Sequence, residues 1–309
     1  MNALAAVVPR RVFIFAQPDA LGVPVEDIRV LLGDTDVAPY GLGGWASRST
    51  IVASGALVRA AATVRDKAVR IAAHLLEAAP EDVVLDEGGF HITGSPDRSR
   101  SWRDVATAAY VRTFDLPPGT DPGLEATAMY VPPGVDHEPR EDGRMNACPT
   151  YANGSVGAVV KVDLETCAVD VLEYVVAHDC GTLINPVIVD GQIHGGVAQG
   201  IGGTLLEELP YDENGVPLAT SFMDYLLPAA TEVPPIDVTH FESPSPFTAL
   251  GVKGAGEAGV IGVAEVLAGA VEDALGRAGR PIQEIEATPI TPASVWHRLA
   301  SAGAPSGSV

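Results

Sequence analysis

The apolar positions of this 309-residue chain change period several times, and each change marks an element. The longest helical pattern is IVASGALVRAAATVRDKAVRIAAHLLEAA (51–79), where Ala, Val and Leu recur at helix spacing. It follows the Gly/Ser loop YGLGGWASRST (40–50), whose Ser49 or Thr50 is the expected N-cap. Upstream, VPVEDIRVLLGDTD (23–36) reads as a turn, then a strand ending in a polar loop. VVLDEGGFHIT reads as a hairpin and SWRDVATAAYV (101–111) as a short helix. Residues 115–150 are rich in Pro, Gly and acidic side chains and read as a junction.

Beyond the junction, VGAVVKVDLETCAVDVLEYVVAHDCG (156–181) alternates as two strands joined at Leu164–Cys167. NPVIVDGQIHGGVAQGIGGTLLEE (185–208) has helical length but is crowded with glycine. Each interior glycine costs a helix about 0.5–1 kcal/mol. A helix that accepts so many is expected to be pressed against something at its backbone. LPYDENGVPLAT is a turn region, and the Pro-rich PAATEVPPIDVTHFESPSP (228–246) leads to GVKGAGEAG (251–259). VIGVAEVLAGAVEDALGRAG (260–279) is a clear helix. The pattern predicts a mixed α/β (α+β) protein of two subdomains, 1–135 and 136–309.

Composition narrows the classes. Hydrophobic residues make up 47% and the mean hydropathy is +0.20, which argues against disorder. Forty acidic against 19 basic side chains give a net charge of −21, and no basic patch interleaves with aromatics. Phosphate-driven binding needs clustered Lys and Arg, so nucleic acid is disfavoured. The three cysteines, Cys148, Cys167 and Cys180, are widely spaced with no CxxC. They build neither a disulfide framework nor, from this chain alone, a zinc or iron–sulfur site. MNALAAVVPRRVFIFAQP is a poor signal peptide, and no apolar run approaches the roughly 18 residues of a membrane span. A cytoplasmic location is the expectation.

GVKGAGEAG carries the candidate chemistry. Gly254, Gly256 and Gly259 spell G-x-G-x-x-G, a dinucleotide fingerprint that requires a strand before it. The preceding ESPSPFTALG has two prolines and no alternation, which speaks against that reading. A second reading takes the glycines as a nest of N–H groups at a helix start, an anion site to which Lys253 adds charge. Glu257 then points into a pocket walled by backbone, as suits a general base. In a third, Glu257 only complements the dipole of the helix 260–279.

Four motifs follow one another in order: DCGTLINP (179–186), GQIHGGVAQGIGG (191–203), FMDYLLP (222–228) and GVKGAGEAG. With ALGVPVEDIRVLLGDTD (20–36), GWASRST (44–50) and VGAVVKVD (156–163), they resemble the C-terminal part of the molybdenum-binding large subunit of one family. That family is xanthine dehydrogenase, aldehyde oxidase and aerobic carbon monoxide dehydrogenase. The similarity runs from about residue 16 to about residue 300.

The resemblance implies two molybdopterin-binding subdomains, the first truncated or altered at its N-terminal portion. It implies a molybdenum–molybdopterin cofactor, in the cytosine dinucleotide form, with no side chain of this chain ligating the metal. Glu257 takes the place of the family's active-site base. Gly191 and Gln192, in GQ-x-x-GG, take that of the segment that hydrogen-bonds the cofactor near molybdenum. Ser47, Arg48, Ser49 and Thr50 match the loop on the dinucleotide's phosphates, and Lys253, Gly254 and Gly256 border the cofactor; a surface ion pair is the alternative for Lys253. Asp179 and Cys180 match an architectural turn, and His178 and His194 are not expected to bind metal.

The implied reaction is oxidative hydroxylation of an N-heterocycle or aldehyde, with water as oxygen source. The family's G-G-x-F-G loop, its substrate-selecting loop and the G-Q-G segment before residue 23 have no match here. The expectation is therefore a site completed by a second chain carrying the N-terminal part of the subunit. Iron–sulfur ([2Fe-2S]) and flavin (FAD) partner subunits would take the electrons. Alternatives are a carbon monoxide dehydrogenase-type subunit and a non-catalytic cofactor-binding or assembly component of the same fold.

Overall fold

The computed structural model describes residues 21–303, except 32, 37–39, 42, 87–88, 137, 281 and 283. The readings made of residues 1–20 lie outside the described residues. The chain divides into two compact units. Residues 1–150 with 244–253 form the first, and 151–243 with 254–309 the second.

In the first unit, helix α1 (Ser49–Leu76) covers a three-stranded antiparallel sheet of β1 (Val83–Asp86), β2 (Gly89–Ile92) and β3 (Ser95–Arg100). The expected helix and hairpin are both present. β3, SPDRSR, has no apolar pattern and was not foreseen as a strand. Two of its arginines explain its position: Arg98 donates to the Leu76 carbonyl and Arg100 to that of Leu75, at 3.1 Å in the latter case. These are terminal carbonyls of α1 that lack helical partners, and cations there complement the helix dipole. Glu77, at φ +49°, turns the chain out of the helix. Helix α2 (Trp102–Tyr110) starts at a capping box, Ser101 with Asp104. The amide and hydroxyl of Ser101 hold the Asp104 carboxyl below its usual range. Ile71, Phe90 and Val105 form the core, and Trp102 meets Phe90 edge-on at 4.9 Å.

The second unit has a three-stranded mixed sheet. β4 (Asn153–Val162) and β5 (Val169–Asp179) form the predicted antiparallel hairpin. Its turn is held by the Asp163 carboxylate, which accepts from the amides of Glu165 and Thr166 at 2.9 Å each. β6 (Ile236–His240) pairs parallel to β5, with His240 opposite His178. It lies inside the segment read as a Pro-rich lead, where two flanking prolines hide a five-residue alternation. Helices α3 (Pro186–Leu205) and α4 (Val263–Arg277) pack on the sheet, and α5 (Pro292–Gly303) was not foreseen. Their apolar faces, including Ile193, Val197, Ile201, Leu267 and Val271, bury against Tyr174 and Val176 of β5. Burial raises the Tyr174 hydroxyl to about 12, with Glu265 adding to the effect.

The structure corrects two local expectations. The strand expected within 23–36 is absent: the described residues there make a 3-10 turn at Val25–Asp27 and pair with neither sheet. A strand is held by the neighbour that takes its N–H and C=O groups, and apolar content alone does not supply one. At the other position, Ser49 and Thr50 are the first residues inside α1, not its cap. The cap position belongs to Arg48, with no side-chain hydrogen bond.

Candidate functional site

The residues singled out from the sequence fall in both units. Ser47, Arg48, Ser49, Thr50 and Lys253 belong to the first, and Gly191, Gln192, Gly254, Gly256 and Glu257 to the second.

In the first unit, Ala46 and Ser47 both have left-handed backbone, at φ +49° and +55°. This tight turn, closed by Arg48 N donating to Trp45 O at 3.2 Å, swings the chain into α1. The Arg48 guanidinium lies 4.7 Å from the centre of the Trp45 ring. No side-chain cap and no acidic residue occupies the first turn of α1. Amides at a helix start without helical partners, with the dipole behind them and hydroxyls beside them, suit an anion such as a phosphate. Lys253 ends a segment pinned from within: Ser245 N donates to Gly251 O at 2.9 Å, and the buried Thr248 hydroxyl to Val252 O at 2.9 Å.

In the second unit, residues 255–262 form successive turns before α4. Ala258 N donates to Ala255 O, Val260 N to Glu257 O, and Val263 N to Val260 O, at 3.3–3.4 Å. Glu257 sits in these turns exposed, which corrects the expectation of a pocket walled by this chain's backbone: the turns place it at the surface of this chain. It does not cap α4, whose cap is Gly262 at φ +85°. No strand leads into the glycines, so the dinucleotide fingerprint lacks its context.

The glycines of α3 divide into two sets. Gly196 faces the loop and Gly200 the start of α4: a Cβ on Gly196 would lie 2.7 Å from Gly259 Cα and 2.8 Å from Val260 N, and one on Gly200 2.6 Å from Val263 Cγ2. Reciprocally, a Cβ on Gly259 would strike the Ile193 carbonyl and lie 3.0 Å from Gly196 Cα. Here the helix presses against the very loop that carries Glu257. Gly191 and Gly195 are different, because a Cβ on either would meet nothing within 4 Å. They flank Gln192 on an open face of α3. The structure thus brings Gln192 and Glu257 onto abutting segments. The expectation that this helix is pressed at its backbone holds at Gly196 and Gly200; its partner, Gly259, was not foreseen.

The Asp179-Cys180-Gly181 turn is architectural. The Asp179 carboxylate accepts from Gly181 N at 2.8 Å and from Ser243 N and Oγ, tying the end of β5 to the chain beyond β6. Cys180 is buried. His194 Nδ1 donates to its own helix at Asp190 O, 2.8 Å away. Among the described residues no group of three or more His, Cys, Asp or Glu is placed to hold a metal ion. No helix among them is long and apolar enough to cross a membrane.

Comparison with known proteins gives this arrangement its family. Residues 13–234 match the molybdopterin cofactor-binding domain. The chain is 40% identical over 271 residues to the nicotine 6-hydroxylase large subunit of Paenarthrobacter nicotinovorans, covering 88% of this chain and 32% of that protein. It is 37% identical over 254 residues to the carbon monoxide dehydrogenase large chain of Afipia carboxidovorans, covering 82% and 29%. The crystal structure of quinoline 2-oxidoreductase from Pseudomonas putida 86 superposes with a TM-score of 0.81 at 40% identity, over 94% of this chain and 34% of that one. The chain thus spans about a third of the length of the relatives it matches. Matched by the family model over residues 13–234 and by relatives at 40% identity over most of its length, this chain belongs to the molybdopterin cofactor-binding family of the molybdenum hydroxylases.

Proposed function

We propose that this chain supplies part of the molybdopterin dinucleotide site of a molybdenum hydroxylase, with Glu257 as its general base. The observation that carries this is the contact of Gly196 with Gly259, which holds the Glu257 turn against α3 beside Gln192. The residues present fit the group. Gly191 and Gly195, next to Gln192 in α3, leave open space that a side chain would fill, and α1 offers an uncapped first turn. When bound, the molybdenum–molybdopterin group supplies two-electron oxidation.

The chain's own residues do the rest. Gln192 hydrogen-bonds the cofactor on the open face of α3, next to Gly191. Ser47, Arg48, Ser49 and Thr50 hold the phosphates of a cytosine dinucleotide. Lys253, Gly254 and Gly256 border the cofactor ahead of Glu257. The Glu257 carboxylate takes up the proton released as an electron-poor carbon is hydroxylated with oxygen from water. An N-heterocycle or aldehyde is the substrate class. N-heterocycles come first because two relatives at 40% identity are named for nicotine and quinoline.

The rest of a large subunit would complete the site over Glu257, with iron–sulfur and flavin subunits taking the electrons in the cytoplasm. The test is molybdenum and pterin analysis of the natively purified assembly, with its subunits identified by mass spectrometry. One molybdenum per copy of this chain, alongside a larger partner, is expected. A stable chain purifying alone without molybdenum or pterin would overturn the proposal.

A further inference from the structure

At the end of the second unit's sheet, a cluster of buried His178, partly buried His240 and half-exposed Asp190 joins β5, β6 and α3. His240 Nε2 donates to the Asp190 carboxylate at 2.6 Å. His178, opposite His240 in the parallel register, meets its ring edge-on with centroids 5.6 Å apart. His178 is 2% exposed, and among the described residues neither of its ring nitrogens has a hydrogen-bond partner. Burial is the main cause that lowers its pKa below the ordinary value, with neighbouring His240 adding to the effect and Asp179 opposing it. The His178 ring packs against the His240 ring, and the remaining His240 nitrogen, Nδ1, is buried with no hydrogen-bond partner among the described residues. The ring's one directed bond runs to Asp190, two residues before Gln192 on α3.

This matters because the N-terminal part of α3, though held on its apolar side by buried Ile193 and the Gly196–Gly259 contact, has low helix propensity. Asn185 caps it and Pro186 starts it, but Gly191, Gly195 and Gly196 follow within three turns. Glycine adds backbone freedom and lowers helix propensity. Gly191 and Gly195 also carry no packing on their open side. Something other than helix propensity must fix the rotation of this turn about its axis. Asp190 is the polar side chain through which the sheet grips it.

We propose that the Asp190–His240 pair, seated on His178, is a clamp that sets the first turns of α3 and so aims the Gln192 carboxamide at the cofactor. Asp190 and His240 are positioning residues that touch neither cofactor nor substrate. The inference rests on the reading of Gln192 as a cofactor-binding residue, but the clamp itself can be measured without any cofactor.

The experiment compares His240→Gln with His240→Leu in the full chain. The amide nitrogen of Gln reaches the place of Nε2 and keeps a donor for Asp190, whereas Leu keeps apolar volume and loses the donor. Hydrogen exchange of residues 189–195 is followed by mass spectrometry, with molybdenum and pterin content measured on the purified assembly. His240→Leu is expected to speed exchange in that segment about tenfold or more and to lower cofactor content severalfold, while leaving exchange in α1 unchanged. His240→Gln is expected to restore both. Asp190→Leu should match His240→Leu. Equal behaviour of the Gln and Leu variants would overturn the clamp, because packing alone would then explain the histidine. If the wild-type assembly holds no molybdenum, the reading of Gln192 fails, and the clamp is judged by the exchange ratio alone.

Discussion

Gly196 on α3 and Gly259 in the loop before α4 touch backbone to backbone, so that a Cβ on either would fall within 3.0 Å of the other's Cα. Both partners at this contact are main chain and cannot rotate away. Gly259→Ala is therefore expected to destabilise the second unit by about 1–3 kcal/mol, the range for overpacking a closed site. A fall in the urea midpoint of the full chain checks it. Gly191→Ala is the control: its Cβ enters open space, and alanine favours a helix by about 1 kcal/mol over glycine. That variant is expected to be no less stable than the wild type, yet to retain less pterin, because the added methyl stands where the cofactor is proposed to lie.

Glu257→Gln removes the proposed base while preserving shape and hydrogen-bonding capacity. General-base catalysis contributes about 10²–10⁴-fold. Turnover of the assembled enzyme is expected to fall by at least about 10²-fold at unchanged molybdenum content. Activity near wild type would show that the base lies elsewhere.

The first turn of α1 separates helix stability from phosphate binding. Thr50→Asp places a negative charge at a helix start, worth about 0.3–1 kcal/mol to the helix. The same charge repels a phosphate. The variant is expected to unfold at a slightly higher temperature and to hold less pterin dinucleotide, two shifts of opposite sign measured on one preparation. If pterin content is unchanged, the phosphates are not at this helix.

His178 makes an acid limit. Its folded pKa lies below the ordinary 6.5, with burial the main cause. The unfolded chain therefore binds more protons than the folded one once pH drops below about 6.5, and stability falls with pH there. Its contribution is complete above 6.5 and is lost as pH falls through the depressed folded value. His178→Phe, an apolar ring in the same strand position, is expected to flatten the slope of stability against pH below 6.5. Urea midpoints measured at pH 7.5 and pH 5.5 check it.

Periodicity along the chain was enough to determine α1, the β4–β5 hairpin, α3 and α4, because each buries a face whose apolar residues repeat at the period of its own backbone. The ordered motifs around Gln192 and Glu257 were likewise enough to determine the family. What local sequence could not decide are the features that exist only through a partner distant in the chain. β3 is polar and is placed by sheet pairing and by carbonyls of α1; β6 is hidden among prolines and exists because β5 pairs with it. The apolar run at 23–36 lacks such a neighbour among the described strands and forms no strand. The division of the α3 glycines into a packed set and an open set, and the joining of Asp190 to His240 across 50 residues, were also settled by tertiary structure. A glycine looks the same in a sequence whether it faces backbone or empty space, and only the fold says which.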